Sequence, residues 1–170
     1  SDIDEFSEYE TDLDDQIKNK DLTFFDLTHT RLKQRIEESK SYYKSILGQP
    51  FDYKVDEEFN SDFEKLPFAN SVSELKEKWR KQLKLSVLSS LTDRLKLEED
   101  IKNGVVKEKK DSLGTKKSEK PIDKTPKTFE QIEKETRESS LKSMNEFFSL
   151  IDDMKREEWF SIFVNTIAER

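Results

Sequence analysis

One histidine and no cysteine occur in these 170 residues, so the chemistry open to the chain is narrow. His29 stands one turn after Phe25 and three residues before Leu32. A histidine-based metal site needs further imidazoles or thiolates, and a catalytic triad needs a nucleophile placed beside its base. Neither is visible, and His29 reads as a packing or boundary residue. Asp12, Asp14 and Asp15 have the opening of a calcium loop. The glycine at the sixth position and the bidentate glutamate at the twelfth are missing, so they read as a solvated acidic face. Adjacent carboxylates such as Glu98–Glu99 and Glu157–Glu158 are commonplace in a chain that is 41% charged, and nothing marks either pair as general acid and base. Three glycines cannot build a phosphate-binding loop or a nucleophile elbow. Serine and lysine are both abundant, yet no Ser–Lys pair is singled out by its setting. From the residues alone, no catalytic, cofactor-binding or metal-ligating side chain is assigned. The chain reads as a helical scaffold or docking domain.

Composition points the same way. Hydrophobic residues make up 32% of the chain, a proportion that suits helices burying one stripe each rather than a sheet covered on both faces. Three glycines and four prolines leave few tight turns for many short strands, and twelve phenylalanines predict an aromatic core. No apolar run reaches the roughly 20 residues that cross a bilayer as a helix. The first residue is Ser1 rather than methionine, which suggests a mature product or a piece of a longer chain. Net charge is −7, against wholesale nucleic-acid binding. Its distribution is uneven: residues 1–26 hold ten acids and two lysines, and residues 105–127 hold eight lysines and four acids. The basic stretch lacks arginine and interleaved aromatics, so a solvated linker is the reading preferred over a nucleic-acid or lipid contact.

The elements follow from apolar spacing. Ile3, Phe6, Leu13 and Ile17 predict a first helix, broken at Asn19-Lys20-Asp21. Thr23, with Asp26 in the reciprocal position, predicts the start of a second, whose stripe of Phe25, Leu32, Ile36, Tyr43 and Leu47 ends at Gly48 and Pro50. Residues 50–70 alternate Phe51, Tyr53 and Val55 with polar groups and then carry Phe59, Phe63, Leu66 and Phe68. They predict an extended aromatic strap held on the bundle. The longest helix is expected over 71–101, opened by a Ser71/Glu74 capping box and stopped at Asn103-Gly104. Its expected stripe is Val72, Leu75, Trp79, Leu83, Leu88, Leu91 and Leu95, with Trp79 as the organising residue. Residues 105–127 predict a flexible Lys-rich insert. Thr128 and Gln131 form a second capping box, opening a helix whose stripe is Ile132, Met144, Phe147, Phe148 and Ile151 and is weak between 136 and 140. Asp153 is expected to cap a last helix, apolar on nearly two faces, through Trp159, Phe160, Ile162, Phe163 and Ile167. The fold class is therefore all-α: an irregular bundle of about five helices, with residues 1–170 as one domain.

Several segments together resemble the N-terminal helical region of tail-specific proteases, the long-form carboxy-terminal processing peptidases. They are Ser1-Asp-Ile-Asp-Glu-Phe6, Leu13-Asp-Asp15, Arg31-Leu-Lys-Gln-Arg-Ile-Glu37, Pro50-Phe-Asp-Tyr53 and Trp79-Arg-Lys81 with Leu83-Lys84. The helix from Trp159 to Arg170 is similar to the one that leads into the protease body in that family. The Lys-rich insert at 105–127 departs from the family pattern. The resemblance implies a periplasmic serine endopeptidase parent with a Ser–Lys dyad and a PDZ domain, both beyond Arg170. No catalytic residue, cofactor or metal is therefore implied for this chain. Implied partners are the PDZ and catalytic domains of the parent, its polypeptide substrates and a helical-repeat lipoprotein adaptor, with no nucleic acid. The alternative reading is a free-standing helical interaction or adaptor protein without protease activity.

Overall fold

Capping chemistry sets the helix boundaries. In the computed structural model, which describes residues 2–62, 66–103 and 127–169, six helices occur among the described residues and no strand. They are α1 (Asp2–Ser7), α2 (Leu13–Asn19), α3 (Thr23–Leu47), α4 (Val72–Lys102), α5 (Phe129–Asp152) and α6 (Arg156–Ala168). The all-α expectation holds. At α5 the box is complete: Thr128 Oγ1 accepts from Gln131 N–H at 3.3 Å and Gln131 Oε1 accepts from Thr128 N–H at 2.9 Å. At α4, Ser71 Oγ accepts from Glu74 N–H at 3.1 Å, but the Glu74 carboxylate reaches one residue further back, to Asn70 N–H at 2.8 Å. Three starts differ from expectation. The single first helix is two, because residues 8–12 turn instead and the Ser7 hydroxyl bonds back to the Ile3 carbonyl at 2.8 Å. A run of acids at 8, 10 and 12 adds like-charge repulsion to that break. At α3 the capping carboxylate is Asp21, which accepts from Thr23 N–H at 2.9 Å and from its hydroxyl at 2.6 Å, not Asp26. At α6 the cap is not Asp153, whose N–H closes α5 on Ser149; the Lys155 N–H donates to Glu158 at 2.7 Å.

The chain divides into two compact units, residues 1–44 with 144–170 and residues 45–143, with the divisions falling inside α3 and α5. In the first unit α1 lies on α3 through charge. Asp2 takes Arg35 in a fork, with contacts of 2.9 and 2.8 Å, and also meets Arg31 at 3.1 Å; Glu5 meets Arg31 at 2.5 Å. Such bidentate pairing fixes orientation as well as attraction. Rings fill the space between α3 and α6. Phe25, 3% exposed, has Phe160 at 5.1 Å edge-on and Phe163 at 5.4 Å, and the Arg156 guanidinium lies over its face at 5.0 Å. Further along α3, Tyr43 is fully buried, stacks on Phe148 of α5 at 5.0 Å and donates its hydroxyl to Asn145 at 2.8 Å. Lys40 grips Asp152 near the end of α5 at 2.7 Å.

Among the described residues of the second unit, those buried are Leu47 at the end of α3, Leu83, Lys84, Val87 and Leu91 on α4, and Ile132, Glu133, Thr136 and Arg137 on α5. The α4 stripe is rotated from the expected one. Leu83 and Leu91 are buried as expected, but Val72, Leu75 and Leu88 are exposed and Trp79 is only half-buried. The step of four from Leu83 through Val87 to Leu91 centres the buried ridge on the middle of the helix, a turn away from Trp79. Trp79 therefore lies beside the buried ridge of α4 and not in it. On the other helices, Leu32 of α3 and Phe147 of α5 are exposed, although both were expected in apolar stripes.

Residues 48–62 and 66–70 form no regular element. Phe51, Tyr53 and Phe129 contact ring to ring, at 6.1 and 6.3 Å, whereas Phe68 is 83% exposed. Phe63 and the insert, apart from Lys127, lie outside the described residues.

Candidate functional site

An apolar cleft in the first unit is the feature best suited to receive another molecule. Its volume is about 470 Å³, and α2, the start of α3 and α6 form its walls. Leu13 and Ile17 come from one turn of α2, Phe24 from the first turn of α3, and Phe163, Val164 and Ile167 from one face of α6. The sequence positions this cleft through two local devices. Lys20 adopts a left-handed conformation, φ 57°, so α2 ends abruptly and its last carbonyls are met by the Lys20 N–H. Gln16 then reaches over and accepts the Phe24 N–H at 3.1 Å, tying α2 to α3. Phe24 contacts Phe6, Tyr9 and Phe163 at 5.9, 5.3 and 6.1 Å, closing the floor. Ile17, Val164 and Ile167 remain 40–56% exposed at the rim. Among the described residues its lining includes the polar Gln16, Lys20 and Asp21 but no serine, threonine or histidine. Such a surface can bury apolar side chains of a polypeptide; it offers no nucleophile with a base beside it.

A smaller cleft of about 360 Å³ in the second unit lies between residues 53–59 and α4. Glu57 holds the segment there by accepting hydrogen bonds from Arg80 and Lys84. The Arg80 hydrogen bond, then that of Lys84, holds the Glu57 carboxyl down to about 2 from the usual 4.5. A depressed carboxyl stabilises the fold fully above its unfolded value and loses that contribution as pH falls through its folded one. Acid titration of urea midpoints between pH 4.5 and 2 should therefore show a steeper decline in the wild type than in Glu57→Gln. Equal slopes would show that the bridge is not linked to folding.

Deeper in the second unit lies a polar network with no counterpart in the sequence reading. Arg137 donates to Glu133 at 2.7 Å and to the Leu47 carbonyl at 2.8 Å, where α3 ends. The same Glu133 oxygen accepts from Phe51 N–H and the Tyr53 hydroxyl, both at 3.4 Å. Burial, and then the Glu133 charge, push the Tyr53 hydroxyl up, which keeps it a donor. The cation at the carbonyl end of α3 meets the negative pole of that helix. Arg137 lies in the part of α5 whose stripe is weak between 136 and 140, and Glu133 one turn before it. An i,i+4 Glu–Arg pair in an otherwise apolar row was the signal available for it.

The residues weighed first for chemistry are scattered. Asp14 and Asp15 pair with Lys18 at 3.0 and 3.4 Å on exposed α2, and Glu158 serves the α6 start. Among the described residues no group of three or more His, Cys, Asp or Glu is arranged to hold a metal ion. His29 sits in the aromatic layer between α3 and α6. Among the described residues no helix is long and apolar enough to cross a membrane.

The tail-specific protease N-terminal domain family matches residues 1–170, the whole of the chain. The chain belongs to this family. The match covers every segment on which the resemblance rested, and includes the Lys-rich insert. No solved structure matches the chain. As a tail-specific protease N-terminal domain, it is a helical part of a protease.

Proposed function

We propose that residues 1–170 form the non-catalytic helical domain of a periplasmic tail-specific serine endopeptidase that processes or degrades proteins from their C-termini. The family match along the whole chain carries this reading. In it, the Ser–Lys dyad and the PDZ domain belong to other parts of the parent, and the helical domain shapes substrate access or docks a helical-repeat lipoprotein adaptor. The exposed apolar cleft between α2 and α6 supports the docking role, because a rim of Ile17, Val164 and Ile167 gains most by being covered. The purified 170-residue chain is expected neither to cleave a denatured protein nor to react with a serine-directed probe, while the intact parent does both. Turnover by the 170 residues alone would overturn the assignment. For docking, Ile17→Asp in the parent is expected to weaken adaptor capture at least tenfold and leave cleavage of a short peptide unchanged.

A further inference from the structure

His29 is the one histidine of the chain, and cysteine is absent, so its ring is the side chain whose ordinary pKa falls between about pH 5 and 8. It stacks on Phe25 of its own helix, with ring centres 5.5 Å apart and planes 8° apart. From α6, the Trp159 ring approaches to 6.1 Å at 45°. Its Nε2 is buried and has no hydrogen-bond partner among the described residues. The charges acting on it are Lys33 and Asp26 from α3 and Arg156 from α6. Asp26 is the only anion of the three and is already taken by Arg156 at 2.7 Å.

A neutral imidazole with its proton on Nδ1 leaves only a lone pair at Nε2. Protonation places an N–H there without an acceptor, and a positive charge beside two others. Phe25 shares a helix with His29 and cannot leave the ring, whereas Trp159 arrives on a separate helix. His29 is half-buried, and α6 is the element whose movement uncovers the Trp159 side of its ring.

We propose that His29 is an acid-sensitive latch: its neutral ring seats Trp159 and α6 on α3, and its protonation loosens α6, and with it the α6 wall of the apolar cleft. The direction of the titration agrees, since burial first, then Lys33 and Arg156, lower the His29 pKa below 6.5. With the folded value depressed, the unfolded chain binds the proton first. Stability is then full above pH 6.5 and falls as pH drops from there to the folded value, by up to about tenfold in the folding constant per pH unit.

The test uses the 170-residue chain with Trp79→Phe, so that fluorescence reports Trp159 alone, together with proton NMR of the single imidazole. The expected result is an imidazole midpoint below 6.5 and a red shift of Trp159 emission with the same midpoint. With His29→Phe added, emission should stay constant from pH 8 to 5. An imidazole midpoint at or above 6.5, a Trp159 emission that ignores the titration, or the same shift in His29→Phe overturns the proposal. If His29→Phe does not fold, the coincidence of the two midpoints in the histidine-bearing chain decides the matter.

Discussion

Arg137→Met is expected to destabilise the chain by about 3–5 kcal/mol, the usual cost of removing one member of a buried ion pair. The Glu133 side chain is 6% exposed and that of Arg137 11%, so the carboxylate left behind cannot be hydrated without opening the unit. The Leu47 carbonyl would lose its charged donor in the same step. Pairing this substitution with Glu133→Leu removes the orphaned charge and is expected to return part of the loss, the remainder reflecting the Leu47 carbonyl, Phe51 N–H and Tyr53 hydroxyl that lose their partners. Urea unfolding of the two single variants and the double variant measures this directly. Additive losses in the double variant would show that the two side chains act separately, contrary to the 2.7 Å contact.

Phe25→Ala should have an effect of similar size, about 3–5 kcal/mol, through loss of a buried aromatic ring and the cavity it leaves. Phe25 is where α3 meets α6: Phe160, Phe163 and Arg156 all lie on its ring. The loss should therefore appear first as detachment of α6, visible as faster amide exchange in residues 156–168 than in α4. Phe68→Ala is the control, since that ring is 83% exposed and its removal should change stability by no more than about 0.5 kcal/mol. Comparable destabilisation by both would mean that the aromatic layer between α3 and α6 does not hold the unit together.

The positions of the helices were readable because their signals are local. The Thr128/Gln131 box, the Gly48–Pro50 stop and the Asn103 end all lie where the sequence puts them, since a cap is satisfied by atoms three or four residues away. The caps that moved, from Asp26 to Asp21 and from Asp153 to Glu158, did so among several carboxylates within reach of the same N–H groups. Family membership was legible for a related reason: short runs spread in order over the chain carry it jointly, and the family matches over residues 1–170.

Faces were harder to read than boundaries. On α4 the pattern allows a stripe through Trp79 or one through Val87, because leucines recur on more than one side of the helix. Only the packing within the second unit selects Leu83, Val87 and Leu91. The polar network escaped for a stronger reason. Periodicity counts apolar residues, and so it registers Glu133, Thr136 and Arg137 as a weak stretch. The pairing of Glu133 and Arg137 depends on partners 80 to 90 residues away in sequence, at Phe51, Tyr53 and the Leu47 carbonyl. The apolar cleft is likewise a product of assembly, built where Lys20 turns α2 back and α6 returns from the far end of the chain. By itself, the sequence determined an all-α chain, the stops of α2, α3, α4 and α5, and the family. The tertiary structure decided which faces are buried, which charges are paired and where an apolar surface stays open, because those depend on contacts between residues that no local spacing brings together.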